Sequence, residues 1–181
     1  VGKTNLDQFG ASLTGTESSF GVPKNPASPS LAPGGNAGAS VAVSTGLASF
    51  AVTTDTCGTS IVPPALSGIF GLKATEGLIS LGGIVPSCPS MDCISIMATT
   101  ANDILSVLKV CTTTPSSEDL TLRNRPNAAV PFLSRIPKLK TFSLGVPAGS
   151  SLSFVEGIDT QAEKSYYAAA QRLGRLGGTP V

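Results

Sequence analysis

The chain has 181 residues, with 12 Lys and Arg against 11 Asp and Glu, and neither histidine nor tryptophan. That length suits one domain able to bury a core, and a net charge of +1 leaves no basic footprint for nucleic acid or an anionic membrane. Without histidine, Ser-His-Asp catalysis, Cys-His catalysis and every His-containing zinc site are excluded.

Taken in chain order, residues 1–20 lack the apolar stretch of a secretory leader and carry Lys3, Asp7 and Glu17. Pro23, Pro26, Pro29 and Pro33 keep 22–35 extended. Gly34-Gly35 then turns the chain into a small-residue helix expected over 38–48, followed by a short buried strand at Phe50–Thr53. A second turn at 55–59 leads to 60–67, where Pro63-Pro64 allows only a helix that begins there. Over Thr100–Cys111 a helix is clear: Thr100 caps it, Asp103 sits in its first turn, and Ile104, Leu105, Leu108 and Cys111 share a face. Thr141–Val146 reads as a strand. The strongest helix runs from Asp159 to Leu176, with Ala162, Tyr166, Ala169, Ala170, Leu173 and Leu176 on one side and Gly177-Gly178 as its stop. Strands alternating with helices predict an α/β fold, as one domain over 1–181.

Between 25 and 102 the only charged residues are Asp55, Lys73, Glu76 and Asp92, so this stretch reads as the interior. The longest apolar region, 41–52, is broken by Ser44, Thr45, Gly46 and Ser49 and is too short for a membrane helix. Cys57, Cys88, Cys93 and Cys111 match no zinc spacing, and Cys88 and Cys93 are too far apart for a redox pair. Free thiols in a cytoplasmic protein are expected, with no metal and no cofactor.

A glycine-rich turn that opens a helix directs free N–H groups outward, which suits an anion or a developing oxyanion. Gly34-Gly35-Asn36-Ala37-Gly38 and Thr56-Cys57-Gly58-Thr59 are two such turns, on either side of one helix and one strand. Around them stand ordered motifs: GKTNLDQF at 2–9, GTESSFG at 15–21, PGG at 33–35, TDT at 54–56, GLKATEG at 71–77, and VPSC with MDCIS at 85–95. In this order they resemble the amidase signature family, and within it the allophanate hydrolases. The resemblance implies an amidase-signature-like core, a mixed central sheet flanked by helices, and a chain truncated at both ends.

Family members hydrolyse amides with a Ser–cis-Ser–Lys triad, and this sequence departs from it. Asn36 stands at the bridging serine position and Thr59 at the nucleophile position, with Ile61 in place of the usual Arg. Lys3 matches the later GKTN motif, and the catalytic lysine belongs upstream of that motif. Thr59 is β-branched and lacks the family base, and the amide of Asn36 cannot relay a proton as a hydroxyl does. Ser60 and Ser40 are alternative serines if the alignment slips by one residue, but Ser60 precedes Ile61 and Ser40 lies inside the helix. Cys57 is the stronger nucleophile, with no histidine or neighbouring cation to make it a thiolate. Asp55 reads as structural. The resemblance also implies that the backbone of Thr56, Cys57, Gly58 and Thr59 forms an oxyanion hole, and Thr56, Cys57, Gly58 and Gly35 are the expected substrate-binding residues.

The expectation is therefore a protein that grips a carbonyl- or carboxylate-bearing small molecule and has lost the triad, capable at most of a cyclisation or isomerisation. Two alternatives remain open: amide hydrolysis by Thr59, and a pseudoenzyme that binds a protein partner. No nucleic acid or membrane partner is expected. Self-association as a homodimer is expected.

Overall fold

Small residues after the Gly34-Gly35 turn start the first helix, α1 (Ala37–Ser44), in a computed structural model that describes residues 1–10, 12–112, 140–146 and 160–181. The helix stops short of the expected Ala48. Ser44 and Thr45 hydroxyls donate back to the Val41 carbonyl, at 3.1 and 2.7 Å, and Gly46 follows at φ +76°. Hydroxyls that compete for helix carbonyls, followed by a left-handed glycine, end a helix. Val43 is buried as expected, whereas Leu47 lies past the stop and is 83% exposed.

Three strands form one antiparallel sheet in the order β1-β3-β2: β1 (Phe50–Asp55), β2 (Phe70–Lys73) and β3 (Cys93–Ala98). Among the described residues only β3 has neighbours on both sides, and all six of its residues are buried. The expectation of a wholly buried strand at Phe50 is corrected: among the described residues β1 is an edge strand, and Phe50 and Val52 are about half exposed. The charge-poor stretch is likewise not uniformly interior, since Leu31, Leu47, Phe70, Val85 and Met91 are exposed within it. Its loops satisfy themselves with uncharged groups, as where the buried Asn25 carboxamide accepts from Ala27 N–H and donates to the Leu66 carbonyl.

Strand pairing sorts side chains onto two faces. Phe50, Ala98 and Phe70 pair across the sheet, as do Val52, Ile96 and Leu72. On that face α3 (Ala101–Cys111) packs Ile104 and Leu108 against Ile96 and Ala98. Thr100 caps α3 as expected, accepting from Asp103 N–H at 3.1 Å. The opposite face carries Thr53, Ser95 and Lys73 in one row, and Asp55 and Cys93 in the next. There α1 lies on β1 and β3, and α2 (Val62–Ser67) lies on β2.

The two prolines that start α2 sit on bare glycine backbone. A side chain at Gly34 would meet Pro63 Cγ at 2.7 Å, and one at Gly71 would meet Pro64 Cγ at 2.7 Å. The prolines thus start the helix and seat it.

The described residues fall into two compact units, spanning 1–134 and 135–181. In the second, β4 (Phe142–Leu144) pairs in parallel with β5 (Gly178–Pro180), joined by α4 (Thr160–Arg175). Asp159, the expected start of α4, lies outside the described residues. None of the residues of α4 is fully buried. No helix among the described residues is long and apolar enough to cross a membrane.

Candidate functional site

Both glycine turns lie on the polar face of the sheet, and buried carboxylates shape them. Asp55 ends β1 and is fully buried. Its Oδ1 accepts from Gly58 N–H at 2.8 Å and its Oδ2 from Ser60 N–H at 2.7 Å. Lys73 Nζ stands 3.0 Å from the same Oδ1. This Asx-type turn holds Gly58 at φ +105°, a conformation that favours glycine.

Two other buried aspartates shape loops in the same way, with no ion pair of their own among the described residues. Asp7 accepts from Gly15 and Glu17 N–H, each at 2.8 Å, while its own N–H donates to the Gly35 carbonyl. The segment it anchors lies against both turns: a side chain at Gly35 would strike the Ser12 carbonyl, and one at Gly58 would come within 3.9 Å of Leu13 Cδ2. Asp92 accepts from Ser87 and Cys88 N–H, each at 2.9 Å, and from the Thr56 hydroxyl at 2.5 Å. In each case two N–H donors offset the burial of the carboxylate.

Asn36 stands at the N-cap of α1 but its side chain does not cap the helix. The carboxamide instead donates to Ser60 Oγ at 2.6 Å and to the Thr54 carbonyl at 2.9 Å. Ser60 Oγ also lies 2.7 Å from Thr53 Oγ1 and donates to the Thr54 carbonyl at 2.9 Å. With its proton given to Thr54, it accepts from both Asn36 and Thr53, which saturates a hydroxyl. Ser60 is fully buried and acts as the hub of this network.

Thr59 is as buried as Ser60 but differently placed. Its methyl packs over Gly35 and its hydroxyl makes one long bond, 3.3 Å, to the Thr54 carbonyl. Asn36 meets Thr59 through the backbone, N–H to carbonyl at 3.2 Å. The Asn36 side chain and the Thr59 hydroxyl thus share an acceptor and make no bond to each other. Ser40 Oγ, inside α1, is buried without a partner among the described residues, as is Ser95 Oγ on β3.

The backbone of the turn is divided cleanly. Gly58 and Ser60 N–H are taken by Asp55, while Cys57 and Thr59 N–H have no protein acceptor among the described residues. The peptides that carry these two free groups are pinned at their other ends. Lys73 Nζ donates to the Thr56 carbonyl at 2.7 Å, and Ile61 and Val62 N–H donate to the Gly58 carbonyl at 3.0 Å each. In a planar trans peptide a fixed C=O fixes the opposed N–H.

All four cysteines are free thiols; Cys57 is exposed on the turn and Cys93 is buried. Burial pushes the Cys93 thiol up from its ordinary value, partly offset by the nearby Lys73. Sequence reasoning located the turns but missed the Ser60 hub and the Asp92 contact. Motif spacing gave a signal only for the first, in the hydroxyl that follows Thr59.

A profile of the family described as Amidase matches residues 1–181. The urea amidolyase of Lachancea kluyveri is 38% identical over 147 residues, which is 80% of this chain and 8% of that protein. Among solved structures, an allophanate hydrolase of Kluyveromyces lactis matches with TM-score 0.84 at 33% identity, covering 99% of this chain and 28% of its own. A peptide amidase from Stenotrophomonas maltophilia matches with TM-score 0.82 at 29% identity, covering 100% of this chain and 38% of its own. The chain thus spans well under half the length of each of these relatives.

Proposed function

The chain belongs to the amidase family, and on that premise we propose that its 56–59 turn grips a carbonyl- or carboxylate-bearing small molecule that the Asn36 and Thr59 pair does not hydrolyse. The observation that carries this reading is the pair of free, pinned N–H groups at Cys57 and Thr59. Donors preorganised in this way are worth ~10²–10³ in rate for a step that builds charge on oxygen. Proton transfer is what these residues lack. Among the described residues the Thr59 hydroxyl meets only a carbonyl, Asn36 spends both amide hydrogens, and Lys73 is engaged with three oxygens. Cyclisation or isomerisation, helped by orientation and oxyanion stabilisation, fits such a site.

One observation favours a second reading, amide hydrolysis with Thr59 as nucleophile. Unlike Ser60, Thr59 keeps its hydroxyl lone pairs unspent among the described residues. A base from outside the described residues would then be required. Allophanate is the compound to try, given the allophanate hydrolase among the similar structures. Allophanate binding without turnover, unchanged in Thr59→Ala, supports the first reading. Turnover lost in Thr59→Ala selects the second, and absence of both binding and turnover sinks the two together.

The half-exposed Phe50 and Val52 on the β1 edge support a homodimer as a further proposal. A monomer of 18.2 kDa in sedimentation at micromolar concentration would count against it.

A further inference from the structure

We propose that Asp92 and Lys73 are positioning residues that aim the Cys57 N–H, a proposal that rests on reading the 56–59 turn as the ligand grip. Thr56 is held at both of its oxygens. Its hydroxyl donates to Asp92 Oδ1 at 2.5 Å, and its carbonyl accepts from Lys73 Nζ at 2.7 Å. The carbonyl and the Cys57 N–H belong to one peptide plane, so the grip on Thr56 sets the direction of the free N–H.

The anchors are themselves fixed. Asp92 is 4% exposed, and its Oδ2 accepts from Ser87 and Cys88 N–H at 2.9 Å each. Lys73 Nζ spans Asp55 Oδ1 at 3.0 Å and the Met91 carbonyl at 3.3 Å besides Thr56. Between them, Asp92 and Lys73 tie the 87–92 segment to the turn. The Thr59 N–H is aimed differently: its peptide's Gly58 carbonyl is held by Ile61 and Val62 N–H and bonds to neither Asp92 nor Lys73, and Lys73 reaches that peptide only through Asp55. This asymmetry separates positioning from a general structural role.

The test uses the full chain, allophanate as probe, and ¹⁵N relaxation of the Cys57 and Thr59 amides. Thr56→Val is expected to weaken allophanate binding about tenfold, as loss of one charge-assisted hydrogen bond does, and Lys73→Gln, which also gives up the Asp55 ion pair, by at least as much. The Cys57 order parameter should fall from about 0.85 to below about 0.6 while that of Thr59 stays put. Thr56→Ser, which keeps the hydroxyl, should restore both readouts. Asp92→Asn should behave like Thr56→Val, and because Thr56→Val leaves the Ser87 and Cys88 bonds intact, it serves if Asp92→Asn does not fold. Cys57 and Thr59 loosening alike, or Cys57 staying rigid in Thr56→Val, overturns the proposal. A wild type that binds no allophanate, with the Cys57-specific loosening still seen in Thr56→Val, overturns the reading of the turn and leaves the positioning role standing.

Discussion

The two faces of β3 are built on different physics. Toward α3, Ile96 and Ala98 meet Ile104, Leu108 and Leu72, and the contact is apolar throughout. Toward α1 and α2, the same strand presents Cys93, Ser95 and Met97 to a layer that holds Asp55, Lys73, Thr53, Ser60 and Asn36. Apolar burial is non-directional, so it stabilises the sheet without fixing where any one atom points. The polar layer is directional: each carboxylate oxygen meets donors at set distances, and those donors define the turn. The apolar face keeps the sheet folded, and the polar face gives it geometry to use.

The largest expected effect breaks the polar face. Asp55→Ala strands Gly58 and Ser60 N–H and leaves Lys73 without its carboxylate, and should cost about 4 kcal/mol. Urea unfolding measures it, and a loss under about 1 kcal/mol would mean that the polar layer contributes little. Ile96→Ala strikes the apolar face and should cost about 3 kcal/mol. Its distinguishing outcome is that amide shifts of Cys57 and Thr59 in the surviving folded fraction stay at their wild-type positions.

Gly58→Val is smaller in stability, about 2 kcal/mol from a β-branched residue held at φ +105°. It should nevertheless remove allophanate binding altogether, and titration calorimetry that finds binding intact would contradict the assignment of the turn. A weaker effect comes from Cys93, whose raised thiol pKa stabilises the fold fully below the ordinary thiol range. That contribution is lost as pH rises through the folded value. Thermal melts above the ordinary thiol range should fall more steeply for wild type than for Cys93→Ala. Smallest of all is Ser95→Ala, which deletes a buried hydroxyl with no partner among the described residues. It should leave stability unchanged or raise it by up to about 1 kcal/mol, and a loss comparable to that of Ile96→Ala would show that the hydroxyl is bonded after all.

Features set by neighbours in sequence were the legible ones. The Thr100 cap, the prolines at the start of α2 and the two glycine turns each follow from residues within a few positions of one another. β3 was missed because Cys93–Ala98 is a short, nearly continuous buried run, and such a run has no period to separate strand from helix. The overlong α1 has a different cause: apolar spacing continues to Leu47, but the Ser44 and Thr45 hydroxyls compete for the helix carbonyls. At the site, motif order placed Asn36 and Thr59 correctly in the turns. It did not reveal that Asn36 would bond to Ser60, nor that Asp92 would reach Thr56 across 36 positions. Those contacts depend on tertiary folding.

The strand order β1-β3-β2 has a consequence for how the chain is made. Phe50 pairs with Ala98, and Thr56 waits for Asp92. As the polypeptide leaves the ribosome, the 56–59 turn therefore emerges with Asp55 ready to shape it locally but without its distal brace. At ~5–20 residues per second, several seconds of synthesis separate the turn from the strand that must slot in beside β1. Contacts between such distant positions also close slowly once the chain is free. During that interval β1 has no neighbour on the side that β3 will fill, so the nascent chain carries an open, apolar edge at Phe50 and Val52. The same insertion that braces the 56–59 turn closes that side of β1, while Phe50 and Val52 stay half exposed in the finished fold.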